Sequence, residues 1–457
     1  MKFNNIMMKN TIIMTVSNLL MRSIAVSFNA YLTSKIGSAG IGLFQLIITV
    51  YSLAVTLSCA GIKLASTRVT VEIETNRLYD LKKSVRMFDL YAMFCGSLIC
   101  VIVILFSDFI GAKWIFDMRS ASPLRMLALS LPFVAMSASL SGFFTAKGII
   151  VRYTFIQLIE QIIKIIVAVI ALNSIEIMNV KSACMAIAVA TTASEAVSFT
   201  LSYILKTVTV KESTKQKAIM LKRLLRIAVP DATGTSARSI LLTIEHLLIP
   251  KGFEKSGAGA KDALSAYGNI HAMALPILLY PSAILTSYSA LIIPELAKMN
   301  ERKDRDGISG CVEKNLKRTF IFSVFCSVIM SAFAPLISDL IYKTNEAVQY
   351  IRILAPLVPV MYMDTVTDGM LKGLDQQIHS MRYNIIDSAL CVAMVWFLLP
   401  KYSVKGYIFI LYASEIINFY LSFGRLIKVC DIRIFKGIKA FSVPQEDIST
   451  FSRRKKC

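Results

Sequence analysis

Two arginines stand where an apolar chain should carry none. Arg22-Ser23-Ile24 lies near the middle of the first long apolar stretch, and the same tripeptide returns as Arg238-Ser239-Ile240 near the centre of the stretch 224–249. A guanidinium in hydrocarbon costs at least about 2.5 kcal/mol on insertion scales, so two in corresponding places ask for one shared reason. They could pair internally, snorkel to a headgroup layer, or face a common cavity; their mid-stretch placement argues against snorkelling. Lys63 is a third candidate cation for that cavity, with Arg68 nearer the membrane surface. Among the carboxylates, Glu195 and Glu415 sit mid-stretch in matched positions with no basic residue within one turn. Each could rest protonated in an apolar contact, or bind a proton or cation during a cycle. Asp364 and Asp368 are four apart and share one helical face, as polar lining of a cavity or as a proton-coupling pair. Glu160 and Lys164 have the same spacing and read equally well as an internal pair or as cavity groups. Glu245-His246 and His271 are expected toward the outer side, solvated at the interface, and Asp231 after Pro230 as a helix-start residue.

Cofactor chemistry finds no support in the motifs. The run Gly257 to Asp262 lacks the Gly-x-x-x-x-Gly-Lys-Ser/Thr spacing of a phosphate loop. The nine cysteines are scattered without paired ligand spacing, and no nucleophile arrangement is visible. No metal, no cofactor and no enzyme activity is therefore expected. Energy for transport would come from an ion gradient, the membrane potential, or consumption of substrate on the far side.

The elements that must position these groups are membrane helices. The 457-residue chain is 55% hydrophobic and 17% charged, with a mean hydropathy of +0.62, which is a polytopic membrane balance. Its net charge of +21 sits mostly between apolar stretches, where anionic lipid is the natural counter-charge, so no nucleic-acid partner is expected. Stretches long enough to cross a bilayer fall at 11–33, 40–66, 87–107, 124–146, 153–173, 182–205, 224–249, 268–294, 318–341, 351–371, 383–399 and 404–427. The expectation is an all-α integral membrane protein with twelve transmembrane helices. The first stretch is too long for a signal-peptide core and is expected to be retained. Lysine and arginine concentrate in the tails and the even-numbered connections, which places both termini in the cytoplasm of a cell membrane protein. Pro132, Pro276, Pro281, Pro356 and Pro359 are expected to interrupt spans and permit bending.

Internal symmetry organises the helices. Phe94-Cys95 and Ser107-Asp108 recur as Phe325-Cys326 and Ser338-Asp339, and Arg125, Pro132 and Gly142 match Arg352, Pro359 and Gly369. Ala193-Ser194-Glu195 reappears as Ala413-Ser414-Glu415. The matched order and nearly fixed offset predict two six-helix bundles around a central cavity, at 1–205 and 227–427. A basic linker at 206–226 joins them, and a basic tail at 428–457 follows. Because six is even, the repeats are parallel and their pseudo-two-fold axis runs along the membrane normal. An insertion of about ten residues between Lys251 and Gly268 separates the halves in length.

Four stretches carry a family resemblance: Gly37 to Leu46 (GSAGIGLFQL), Gln157 to Lys164 (QLIEQIIK), Tyr267-Gly268 through Pro281 to Glu295, and Leu371 to Gln377 (LKGLDQQ). Together they resemble the multidrug, oligosaccharidyl-lipid and polysaccharide exporter superfamily, and within it most the stage V sporulation protein B group of oligosaccharide flippases. Members of that group often carry two further helices after the twelfth, where this chain has the basic run Arg453 to Cys457. The resemblance implies two bundles whose cavity opens alternately to each side, and a polyprenyl-pyrophosphate-linked sugar as substrate. Arginine suits such a substrate, because its planar fork meets phosphate oxygens bidentately. The position of Arg22 resembles that of the cavity arginines on the first helices of lipid II flippases. Arg22, Arg238 and Lys63 then become the substrate-binding candidates, and Glu195, Glu415, Asp364, Asp368 and Glu160 the ion-coupling or cavity-lining ones. An ion-coupled multidrug and toxin extrusion antiporter is the alternative, in which carboxylates dominate. The expected partners are the lipid-linked sugar, membrane lipids, and a cation or proton as coupling ion.

Overall fold

Residues 2–59, 61–76, 79–175, 179–209 and 221–430 are described in a computed structural model of the chain. Parts of the expected linker (210–220) and most of the tail (431–457) lie outside them. Among the described residues all regular structure is helical. In order the α-helices are α1 Lys2–Cys59, α2 Ile62–Asn76, α3 Leu81–Phe109, α4 Ala121–Ala128, α5 Leu131–Ala146, α6 Ile150–Asn173 and α7 Val180–Thr209. Then come α8 Leu221–Lys255, α9 Ala260–Gly268, α10 Leu275–Leu279, α11 Ser282–Glu301, α12 Arg305–Ala332, α13 Ala334–Tyr342, α14 Val348–Leu354, α15 Val358–Gly373 and α16 Gln377–Cys430. Among the described residues, five stretches are long and apolar enough to cross a membrane, and eight if three bent pairs count as one each.

The longest helices are not single crossings. At 1.5 Å per residue the 58 residues of α1 would reach roughly 87 Å, against a hydrocarbon core of about 30 Å. Gly37, at φ 70° and ψ 175°, breaks it inside the expected first connection. Ser403, at φ 50° and ψ −135°, breaks the 54 residues of α16 in the same way. The expected continuous span 40–66 is instead divided, because Gly61 adopts φ 69° between α1 and α2. A side chain there would also strike the Ala228 carbonyl of α8, since a Cβ would lie 2.2 Å from it.

The prolines mark breaks in the expected spans, and most do so from the first turn of a new helix. Pro132, Pro276 and Pro359 occupy the first turns of α5, α10 and α15, Pro356 opens a 3₁₀ turn, and Pro281 precedes α11. At a first turn the missing N–H would have had no partner, so proline starts a new segment there at little cost. The bends lie beside them: 48° between α4 and α5, and 56° between α10 and α11.

Some positions matched in the sequence share local features. Gly142 of α5 sits so close to α2 that a Cβ would meet the Lys63 carbonyl at 2.3 Å. Its counterpart Gly369 of α15 meets Ser289 of α11, at 2.8 Å to the Cβ. Phe116 and Lys343, equally spaced from Arg125 and Arg352, both take the left-handed conformation, at φ 59° and 54°. Between the halves, α1 crosses α9 at Gly42 and Gly268. A Cβ at Gly42 would lie 2.2 Å from the Leu264 carbonyl, and one at Gly268 would lie 2.3 Å from the Ser38 carbonyl. Each glycine thus meets the carbonyl four residues before the other. Beside them the hydroxyls of Ser38 and Ser265 are 2.6 Å apart.

Candidate functional site

The carboxyl-terminal half holds a cavity of about 390 Å³ whose charge comes from three helices. On α8, Arg238 and Glu245 lie two turns apart and so share a face. Asp364, Asp368 and Lys372 follow at steps of four along α15, while Asp387 and Glu415 come from the two arms of α16 on either side of Ser403. Five carboxylates therefore face two cations. Short polar side chains hold three of the carboxylates in place. Asn418 Nδ2 donates to Asp364 Oδ2 at 3.0 Å, Ser380 Oγ donates to Asp368 Oδ1 at 2.8 Å, and Ser414 Oγ donates to Asp387 Oδ1 at 2.7 Å. Asp364 Oδ1 and Asn418 Oδ1 are buried without a hydrogen-bond partner among the described residues. Arg238 interacts electrostatically with Asp364 and Asp387, yet no carboxylate of the described residues comes within 4.0 Å of it. A guanidinium so placed can bind an incoming anion without first breaking a close ion pair.

Arg22 is elsewhere. Its Nη1 donates to the Leu279 carbonyl at 2.6 Å and to Ser282 Oγ at 2.9 Å, and Ser23 Oγ lies 2.7 Å from the Tyr280 hydroxyl. At the bend between α10 and α11 the Leu279 carbonyl accepts from side chains, the Ser282 hydroxyl at 2.7 Å and the Arg22 guanidinium at 2.6 Å. Arg22 thus fastens α1 to the bend, and it is not among the residues that line the cavity of Arg238. The repeat-related contact is weaker: Ser239 Oγ reaches Thr56 Oγ1 at 3.4 Å, while the Arg238 side chain turns to the cavity.

A second polar cluster lies where α6 packs on α7. Glu195 interacts with Glu160 and with Lys164, so the basic neighbour missing from its own helix is supplied by the next one. Glu415 has no such neighbour and stands near Asp387. Matched in sequence, the two glutamates occupy different surroundings. Lys63 has an exposed side chain on α2, and its carbonyl forms the close contact with Gly142.

The histidines correct an expectation of interfacial solvation. His246 Nδ1 lies 2.9 Å from the Tyr267 hydroxyl, His271 Nε2 lies 2.7 Å from the Tyr407 hydroxyl, and the two imidazoles meet at 4.7 Å between centroids. Tyr267 and Tyr407 are fully buried. His271 sits in a wide π-helical turn, Asn269–Ala274, which rotates it toward α8. Sequence reasoning also passed over Glu245, Lys372 and Asp387 as cavity groups. The four-residue spacing of Lys372 from Asp368 was a usable signal; Asp387 carried none.

The similarities agree with this architecture. Residues 7–300 match the profile of a family described as polysaccharide biosynthesis protein. Stage V sporulation protein B of Bacillus subtilis (strain 168) is 20% identical over 406 residues, which cover 87% of this chain and 78% of that protein. An inward-facing multidrug resistance MATE family transporter of the MOP superfamily superposes with a TM-score of 0.69 at 12% identity, covering 90% of this chain and 96% of that one. The lipid II flippase MurJ, in its inward closed conformation, gives a TM-score of 0.69 at 13% identity, covering 93% of this chain and 89% of that one. At such identities the superpositions establish a shared fold and leave the cargo open.

Proposed function

The chain belongs to the polysaccharide biosynthesis protein family and has the multi-pass membrane fold of MOP-superfamily transporters, and from that premise we propose that it flips a polyprenyl-pyrophosphate-linked saccharide across the cytoplasmic membrane. Two parallel six-helix bundles, 1–205 and 227–427, alternate access around the polar interior, with the linker 206–226, the tail 428–457 and both termini in the cytoplasm. The protein acts as a transporter and not as an enzyme. The observation that carries this reading is the cavity of the carboxyl-terminal half, seven ionisable side chains held among helices with apolar outer faces. Ionisable groups at membrane depth mark the path of a polar cargo.

Arg238 and Lys372 are the cations offered to the pyrophosphate, because stripping water from that group is costly unless cations replace it. Arg22 supports the path from the seam between the halves, and Lys63 meets the cargo from α2. The surrounding carboxylates compete with the pyrophosphate for Arg238. A proton or metal cation on Asp364, Asp368 or Glu415 removes that competition, so anion binding and cation binding favour each other. Glu160 and Glu195 form a second polar station in the amino-terminal half.

One observation favours a second reading, an ion-coupled multidrug and toxin extrusion antiporter: the cavity carries more carboxylates than cations, a balance that suits a cationic drug. Proteoliposomes decide between them. The flippase reading expects wild-type protein to move a labelled polyprenyl-pyrophosphate sugar between leaflets and Arg238→Ala to lose that activity. Expulsion of a cationic dye with no movement of the lipid would establish the antiporter instead.

A further inference from the structure

Outside the cargo path, a groove of about 680 Å³ lies beside the start of α3, between α5 and the end of α7. It shares no lining residue with the charged cavity of the other half. Its upper end is cationic, with Lys82, Lys83 and Arg86 from α3 and Lys206 from α7. The one carboxylate in its lining, Asp89, is already engaged. It accepts from Lys206 Nζ at 2.5 Å and from Ser139 Oγ at 3.0 Å, with side chains only 14% and 11% exposed for Asp89 and Lys206. Among the described residues of the lining, no further carboxylate balances the positive charge of Lys82 and Arg86.

Asp80 caps α3, its carboxylate accepting from the Lys83 N–H at 2.7 Å and meeting the positive end of the helix dipole, so the charge left to be met in the groove is that of the Lys82 and Arg86 side chains. Lys82 and Arg86, four apart, also repel each other. Below them the groove turns apolar. Leu90 and Met93 are 59% and 50% exposed, and Met136 and Tyr203 face them from α5 and α7. Lys82, Arg86, Leu90 and Met93 fall on one stripe of α3, roughly 16 Å long at 1.5 Å per residue. One leaflet of hydrocarbon is about 15 Å deep, half of a bilayer core. The stripe begins with charge at headgroup level, since the apolar stretch of α3 starts at 87, and ends within the leaflet.

We propose that this groove binds one anionic glycerophospholipid, its phosphate between Lys82, Arg86 and the Lys206 side, and an acyl chain along Leu90 and Met93. The depth of a single leaflet fits an acyl chain better than a long polyprenyl tail, and the separation from the cargo cavity assigns the groove to a resident lipid.

Native mass spectrometry of the purified, delipidated full chain titrated with phosphatidylglycerol or phosphatidylcholine tests this. The wild type should retain a single phosphatidylglycerol at least tenfold more strongly than phosphatidylcholine. Lys82→Gln with Arg86→Gln should lose at least tenfold of that preference, whereas Lys314→Gln with Lys317→Gln, on the exposed basic face of α12, should keep it. Unchanged retention in the first pair, or equal loss in the second, overturns the site. So does displacement of phosphatidylglycerol by a polyprenyl pyrophosphate at lower concentration, which would make the groove a cargo site. Should the first pair fail to fold, a photoactivatable phosphatidylglycerol on the wild type decides. Labelling within 86–98 and 199–207 upholds the groove, and labelling confined elsewhere rejects it.

Discussion

Arg238 shares its charge among carboxylates without a close partner, whereas Arg22 donates two short hydrogen bonds across the seam. The two arginines should therefore fail differently. If Arg238 meets the pyrophosphate as proposed, Arg238→Ala removes a charge-assisted contact of about 2 kcal/mol, and the initial flipping rate in proteoliposomes should fall about thirtyfold. Arg238→Lys keeps the charge but loses the planar fork, and should land between the two. Arg22→Ala leaves the Leu279 carbonyl without that donor, and should lower thermal stability in detergent more than it lowers cargo affinity. Asp89 and Lys206 test another consequence of burial. Asp89→Ala strands a buried ammonium and should destabilise the protein by about 3 kcal/mol, while replacing both partners with apolar residues of similar size should cost clearly less. Thermal unfolding of the single and double variants separates these outcomes. A single variant no less stable than the double would mean that the pair is not uncompensated when broken.

The helices meet where small residues let backbones touch. Gly42 and Gly268 pack α1 against α9 so closely that any side chain forces them apart, since a Cβ would lie 2.2 or 2.3 Å from a carbonyl. Alanine at either position should separate the halves at this crossing. A cysteine pair at Ser38 and Ser265, whose hydroxyls are 2.6 Å apart, should form a disulfide and halt flipping until it is reduced. Continued flipping by the crosslinked protein would mean that this crossing stays closed throughout transport. The sequence showed these glycines within stretches that resemble the family, and the periodic apolar stretches were enough to place the helices. It could not show that Gly42 meets Gly268, because helical periodicity specifies which face is apolar and not which partner covers it. The prolines were legible as breaks but not as first-turn residues, since both uses place proline beside an apolar stretch. His246 and His271 read as outer, solvated groups because their partners Tyr267 and Tyr407 lie on other helices, α9 and α16, invisible to spacing along one helix.

Across the whole molecule, two similar halves have diverged in charge. Glu195 is balanced in part by Lys164 of the neighbouring α6, whereas Glu415 stands with Asp387 in a cavity of five carboxylates and two cations. Sequence symmetry predicted equivalent roles for Glu195 and Glu415, and for Arg22 and Arg238. Matched glycines such as Gly142 and Gly369 both sit at close helix crossings, while the polar side chains at matched positions have different surroundings. An anionic cargo entering the carboxyl-terminal half meets excess negative charge, and in a low-dielectric interior that repulsion is costly. Transport of such a cargo then requires the carboxylates to be neutralised as it binds, by protons or metal cations drawn from one side. Flipping by the wild type should therefore respond to an imposed proton or sodium gradient. Asp364→Asn together with Glu415→Gln lowers the negative charge by two without changing side-chain shape. This variant should still move the lipid down its own concentration difference, but with little dependence on the ion gradient. Equal gradient dependence in the variant and the wild type would leave these carboxylates as lining that orders Asn418 and its neighbours, and would move the coupling site to Glu160 and Glu195.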